Sequence, residues 1–247
     1  MGMTEWLLLG AIVFFAGMVR GCIGFGFSSL VVSSASLFIS PILIVPMLAM
    51  LEIVASVHMA FSVWRDAAYR PLIYMLIGTA IATPMGIYLL VMLPADMIRL
   101  LVSVMILLLS VMLLSGWQYK GKTGAFEYSF LGIISGVCNG AAAVGGLPVA
   151  AFLTAANLSI RTLRATLVLF FLATDIILLL TASGHGLLSE QLLIQSALMI
   201  LPMAIGIHCG SLMFSRISEQ HLRTGVISLL ILLSVVGITR VIYLMMG

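Results

Sequence analysis

Residues 17–29 read GMVRGCIGFGFSS, and the fold turns on how they are interpreted. Four glycines, two serines and Arg20 interrupt an apolar run that extends from about Glu5 to Ser40. Each glycine in a helix interior costs about 1 kcal/mol relative to alanine, so Gly17, Gly21, Gly24 and Gly26 together disfavour one continuous helix. The run is also too long for a single membrane crossing, which takes about 20 residues at about 1.5 Å each. The stretch therefore reads as a turn between two helical arms, with a charge beside it.

Its surroundings are those of a membrane. Of the 247 residues 63% are hydrophobic and 8% charged, where soluble domains carry about 25% charged residues. The mean hydropathy is +1.29. Nearly every segment is too apolar to face water, which predicts an all-α polytopic membrane protein without a soluble domain. The net charge of +3 comes without a basic tract, which argues against nucleic acid as a partner. The start, MGMTEWLLLG, carries Glu5 and no basic region, which argues against a cleaved signal peptide. Cys22, Cys138 and Cys209 are odd in number and lie in apolar surroundings, so no disulfide framework is expected.

Apolar runs cover about Glu5 to Ser40, Ile42 to Trp64, Pro71 to Leu93, Met97 to Trp117, Ala125 to Ala156, Leu163 to Ala182, Glu190 to Phe214 and His221 to Met246. Six of these fit one crossing. The first and the fifth do not, and the fifth carries its own glycine cluster, GIISGVCNGAAAVGG, from Gly132 to Gly146. Aligning Gly17 and Gly21 with Gly132 and Gly136 gives an offset of 115. The later parts also align: Arg99 and Ser110 lie 13 and 24 residues after Gly86, as Arg223 and Ser234 do after Gly210. The order of elements is the same in both halves. This reads as a duplication, residues 1–120 and 125–247, joined by the polar segment QYKGKTG.

The charges bear on orientation. If the two long runs each crossed once, the basic residues other than Arg20 would split five to five between the faces. If each long run enters and returns on one side, Arg65, Arg70, Lys120, Lys122, Arg161, Arg164, Arg216 and Arg223 share a face, and Arg99 and Arg240 lie opposite. The eight-to-two split obeys the positive-inside rule and the even split does not. The expectation is two inverted repeats, each a glycine-turn helical hairpin plus three transmembrane helices. The basic face is then cytoplasmic and both termini are extracytoplasmic. The hairpins, with arms of about 12 to 17 residues, are short for a span and read as re-entrant, although fully crossing arms give the same parity.

With these residues in view, the chain resembles the sulfite exporter TauE/SafE family of membrane transporters. Gly21, Gly24 and Gly26 match the glycine motif of the family's first repeat, and Gly136, Gly140 and Pro148 that of its second. Its later motif is matched by Gly206, Gly210, Leu222 and Arg223, and less fully by Gly86, Ile98 and Arg99. Phe27 and Ser28 stand where the family often has glycines, and the first repeat lacks its proline. The resemblance covers almost the whole chain. It implies a small, duplicated, all-helical transporter of sulfur-containing anions such as sulfite or organosulfonates, in the bacterial plasma membrane.

An anion inside a bilayer needs donors and positive potential, and the N-terminus of a broken helix supplies both. The second arm of each hairpin is expected to begin just after its glycine turn, near Gly24–Ser29 and near Asn139–Ala143. The two starts would point at one another and hold the anion. The expected site comprises Arg20, Gly21, Cys22, Gly24, Gly26, Ser28, Ser29, Cys138, Asn139 and Gly140. Ser28 and Ser29 offer hydroxyls; Asn139 offers an amide or a helix cap. The other reading of the glycines is close helix packing, as in G-x-x-x-G pairs. A guanidinium suits an oxyanion, so Arg20 belongs to the site if it lies deep, and to the cytoplasmic interface if the first arm crosses fully. The cysteines are able to touch a sulfur substrate or simply to pack.

Glu52 and Asp175 are carboxylates inside predicted spans. Such groups are usually functional. They are candidates to carry coupling protons, or Glu52 pairs with Arg20 and Asp175 with Arg161 or Arg164. His58 reads as an interfacial histidine, and His208 and Cys209 read as packing. No spacing supports a metal site, and no cofactor is expected. Asn157-x-Ser159 is a glycosylation sequon by pattern only. The motifs of intramembrane enzymes are missing, so the expected function is a secondary transporter working by alternating access, one half rocking against the other; the alternative is an anion channel with the same site.

Overall fold

A computed structural model describes residues 2–115, 123–156, 158–213 and 219–246. Among them run ten α-helices and no strand: α1 (Met3–Ile23), α2 (Phe27–Ala35), α3 (Pro41–Val63), α4 (Tyr69–Met92), α5 (Ala95–Leu114), α6 (Ala125–Ala142), α7 (Gly146–Ala155), α8 (Ile160–Gly184), α9 (Glu190–Met213) and α10 (Glu219–Met246). A 3₁₀ turn, Trp64–Asp66, follows α3. Six described helices are long and apolar enough to span a bilayer, namely α1, α4, α5, α8, α9 and α10. Taken with the turn after it and a bend of 41° near residue 58, α3 makes a seventh.

Local chemistry sets the boundaries. Proline opens α3 at Pro41 and precedes α5 at Pro94, where its missing N–H costs nothing. The first helix of each half starts alike: Glu5 accepts from the Gly2 N–H at 3.0 Å and Glu127 from the Gly124 N–H at 2.9 Å. Ser159 caps α8 by accepting from the Thr162 N–H.

Both glycine clusters do break their runs. Gly24 and Gly26 take left-handed backbone angles, φ +89° and +91°, and the Gly24 N–H closes α1 on the Arg20 carbonyl at 2.7 Å. The second break uses Ala143 at φ +55°, its N–H on the Asn139 carbonyl at 2.7 Å. The arms are unequal, against the 12 to 17 residues expected. The first arms have 21 and 18 residues and the returning arms 9 and 10. The breaks come late because α1 and α6 tolerate their earlier glycines, which lie on packed seams. The returning arms stop early at the turns before Pro41 and Ile160.

Those seams are the closest contacts in the bundle. Gly17 and Gly21 of α1 abut the backbone of α9 around Met203, Ile207 and Ser211, while Gly206 and Gly210 abut α1 around Phe14 and Met18. Gly132, Gly136 and Gly140 of α6 meet α4 in the same manner around Met75, Thr79 and Thr83. Residue numbers rise together along both seams, so α1 runs parallel to α9 and α6 parallel to α4. By contrast α3 and α8 are antiparallel, from the Asp66–Arg161 ion pair at 2.7 Å through Met59, Ala60 and Val168. The G-x-x-x-G residues therefore serve backbone-to-backbone packing.

These directions sort the charges. Arg161 and Arg65 share the face where α3 ends and α4 and α8 begin. Arg99 and Arg240 share the opposite face, where both donate to carbonyls just past α2: Arg99 to Ser36 at 2.6 Å and to Ile39 at 3.3 Å, Arg240 to Leu37. Lys120, Lys122 and Arg216 lie outside the described residues, as does Asn157 of the sequon.

Candidate functional site

Arg20 sits in the last turn of α1 and is fully buried. Its Nη1 forms an ion pair with Glu52 of α3 and its Nη2 donates to Ser56 at 2.8 Å. The guanidinium carbon lies 5.3 Å from the centre of the Phe171 ring of α8, within cation–π range. Ser28, in the first turn of α2, donates to the other oxygen of Glu52 at 2.6 Å. Glu52 and Phe171 both lie near the middle of their helices, so the guanidinium is level with the centre of the α3–α8 pair.

Asn139, near the end of α6, donates to Asp175 of α8 at 3.2 Å. Glu52 and Asp175 are each 2% exposed. They lie 123 residues apart, each near the middle of its helix. Two side-chain atoms of this cluster, Arg20 Nε and Asp175 Oδ2, are buried without a hydrogen-bond partner.

A small cavity lies between the two breaks. Phe25, Gly26, Ser28 and Ser29 line it from the first, Ala143, Val144, Gly146 and Leu147 from the second, with Glu52 and Phe171 completing the wall. Its volume of about 10 Å³ suits about one water. The first turns of α2 and α7 both reach it, which brings two N-terminal helix ends to one point. Phe171 is held edge-on against Gly146, where a side chain would collide with the ring.

The expected residues divide. Arg20, Gly26, Ser28, Ser29 and Glu52 meet at or beside the cavity, with Asn139 and Asp175 adjoining. Gly21 and Gly140 face α9 and α4 instead. The Cys22 thiol donates to the Gly210 carbonyl at 3.0 Å, and the buried Cys138 is not in the cavity wall. Gly24 lies under the Arg164 stem: a Cβ there would sit 3.1 Å from its Cγ. Asn139 does not cap α7, which begins at Gly146 rather than near Asn139–Ala143; α6 runs on to Ala142 before it breaks. Asp175 pairs with neither Arg161 nor Arg164, since these lie about 16 to 21 Å back along α8; Arg161 pairs with Asp66.

The sequence reading passed over Ser56 and Phe171. Each lies one helical turn from a buried carboxylate, Ser56 four residues after Glu52 and Phe171 four before Asp175. A search of the i±4 positions around each intramembrane carboxylate would have found both. His208 and Cys209 sit on α9, and the side chain of His58 lies outside the described residues. Among those residues no three His, Cys, Asp or Glu side chains gather as metal ligands would.

A family model described as Sulfite exporter TauE/SafE matches residues 9–236. No curated protein and no solved structure matches the chain.

Proposed function

The chain belongs to the sulfite exporter TauE/SafE family of membrane transporters, and from that premise we propose that it carries a small sulfur-containing anion, sulfite or an organosulfonate, between its two glycine breaks. The observation that carries this reading is convergence. Two breaks about 120 residues apart meet at one cavity, with a buried arginine, two serine hydroxyls and two helix N-termini around it. A buried cation at mid-helix depth is expensive and usually functional. A guanidinium fork together with free N–H groups matches the oxygens of a sulfite or sulfonate group.

The inverted-repeat reading is supported by the helix pairing. The first helix of each half packs in parallel on the fourth helix of the other, and α3 packs on its counterpart α8. On that reading the face of Arg65 and Arg161 is cytoplasmic, both termini are outside, and the hairpin turns lie at mid-membrane. Transport then proceeds by alternating access to the shared site.

Flux in proteoliposomes tests this, with sulfite, thiosulfate, taurine and sulfoacetate as substrates. One or more of them should move, saturably and at a rate that depends on Arg20. If folded protein moves none of them, the reading falls. Uphill accumulation of an anion driven by a proton gradient separates a transporter from a channel sharing the site.

A further inference from the structure

We propose that Glu52 is a tethered stand-in for the carried anion, and that an anion gains Arg20 only as Glu52 takes up a proton. The inference rests on the anion site proposed above. An oxyanion already sits on part of the donor set that a sulfonate would use. The Glu52 carboxylate takes Arg20 Nη1 through one oxygen and the Ser28 hydroxyl through the other, while Ser56 takes Nη2. Ser28 belongs to the break that lines the cavity, and the cavity has room for about one water. A second oxyanion does not fit beside the first.

Displacing Glu52 as a carboxylate would leave two anionic groups competing for one guanidinium in a water-poor interior, where an unpaired charge costs several kcal/mol. The titratable groups facing Glu52 are Arg20 from α1 and Asp175 from α8. From α2 comes the neutral Ser28, and Asn139 from α6 is engaged with Asp175. The nearest other cation is Arg164, whose stem crosses Gly24 at the first break. Its backbone lies about 16 Å back along α8 from Asp175, so among the described groups level with Glu52 there is no second cation to receive the displaced carboxylate. A proton removes the conflict. Before exchange the site holds Arg20⁺ and Glu52⁻, which sum to zero. After exchange it holds Arg20⁺, the monoanion and neutral Glu52, and the sum is again zero. The proton comes from water on the face by which the anion enters, and returns to water when the anion leaves and Glu52 re-forms its ion pair. Asp175 keeps its bond to Asn139 and stays outside the count. Each monoanion thus travels with one proton, in the same direction and without net charge movement.

Calorimetric titration of the full-length protein in detergent decides the matter. The probes are methanesulfonate, a permanent monoanion, and sulfite with its own protonation subtracted. Buffers of differing ionisation enthalpy report the protons taken up. One proton per bound anion is expected, and affinity should fall about tenfold per pH unit where Glu52 is a carboxylate. Glu52→Gln should bind without proton uptake and without that pH dependence; Asp175→Asn should retain both. Binding without proton uptake by the wild type overturns the proposal, as does undiminished uptake by Glu52→Gln or its loss in Asp175→Asn. Should Glu52→Gln fail to fold, the wild-type proton count decides alone. If neither probe binds the wild type, the anion site itself falls, and this inference with it.

Discussion

At the scale of the residue, Arg20 has two separable roles. It is the counter-charge of a buried carboxylate, and in the proposed mechanism it grips the anion. Removing one member of a buried ion pair typically costs about 3–5 kcal/mol, while replacing both with apolar groups is often neutral. Arg20→Ala should therefore unfold at markedly lower temperature in detergent. Arg20→Met combined with Glu52→Leu should recover most of the stability while anion binding stays absent. Recovery of binding in that double variant would remove Arg20 from the site. Arg20→Lys should keep the fold and bind poorly, because a lysine ammonium lacks the planar fork that serves Ser56 together with Glu52 or with the oxyanion that replaces it. Arg20, Ser28, Ser29 and Glu52 were legible in the sequence as polar groups in apolar runs. Ser56 and Phe171 were not, since a serine or phenylalanine in a membrane helix is ordinary until its neighbour across the bundle is known.

The helical element shows how glycine pattern splits into two jobs. Glycines at i, i+4 on α1 and α6 make seams, and only Gly24, Gly26 and the Ala143–Gly146 segment break the chain. Spacing alone did not separate the two jobs, because both need the same residue and differ in what lies opposite. That is why Gly21 and Gly140 read as site residues in the sequence and prove to be packing. Two outcomes follow. Gly132→Leu should drive α6 off the Met75 backbone, costing at least the 1–3 kcal/mol typical of overpacking, read as lower thermal stability. Ala143→Gly should stabilise by about 1 kcal/mol, because alanine in a left-handed conformation is penalised and glycine is not. A loss of stability in that variant would show that the methyl group packs for more than the strain costs.

At the scale of the whole molecule, the proposed orientation rests on the sequence, because charge placement depends on chain order and not on packing. Arg65 and Arg161 lie at one face of the bundle and Arg99 and Arg240 at the other, and in the proposed topology the first of these faces is cytoplasmic. On a background with Cys22, Cys138 and Cys209 replaced, single cysteines at Arg161 and Arg99 should react with an impermeant thiol reagent from opposite sides of sealed vesicles. Labelling from the same side would refute the topology. What sequence did not give is the partnership of helices, since parallel neighbours from opposite halves are joined by shape rather than by any local signal.

That partnership has a mechanical consequence. With α1 fitted against α9 and α6 against α4, backbone to backbone, neither half owns a complete wall; each lends its leading helix to the other. A chain cut between residues 115 and 123 should therefore yield two fragments that are unstable when made singly and reconstitute when made together. The same interlock resists the sliding of one half against the other as a block. It leaves the short returning arms α2 and α7, the only parts of each hairpin outside the seams, as the light pieces of a heavy frame.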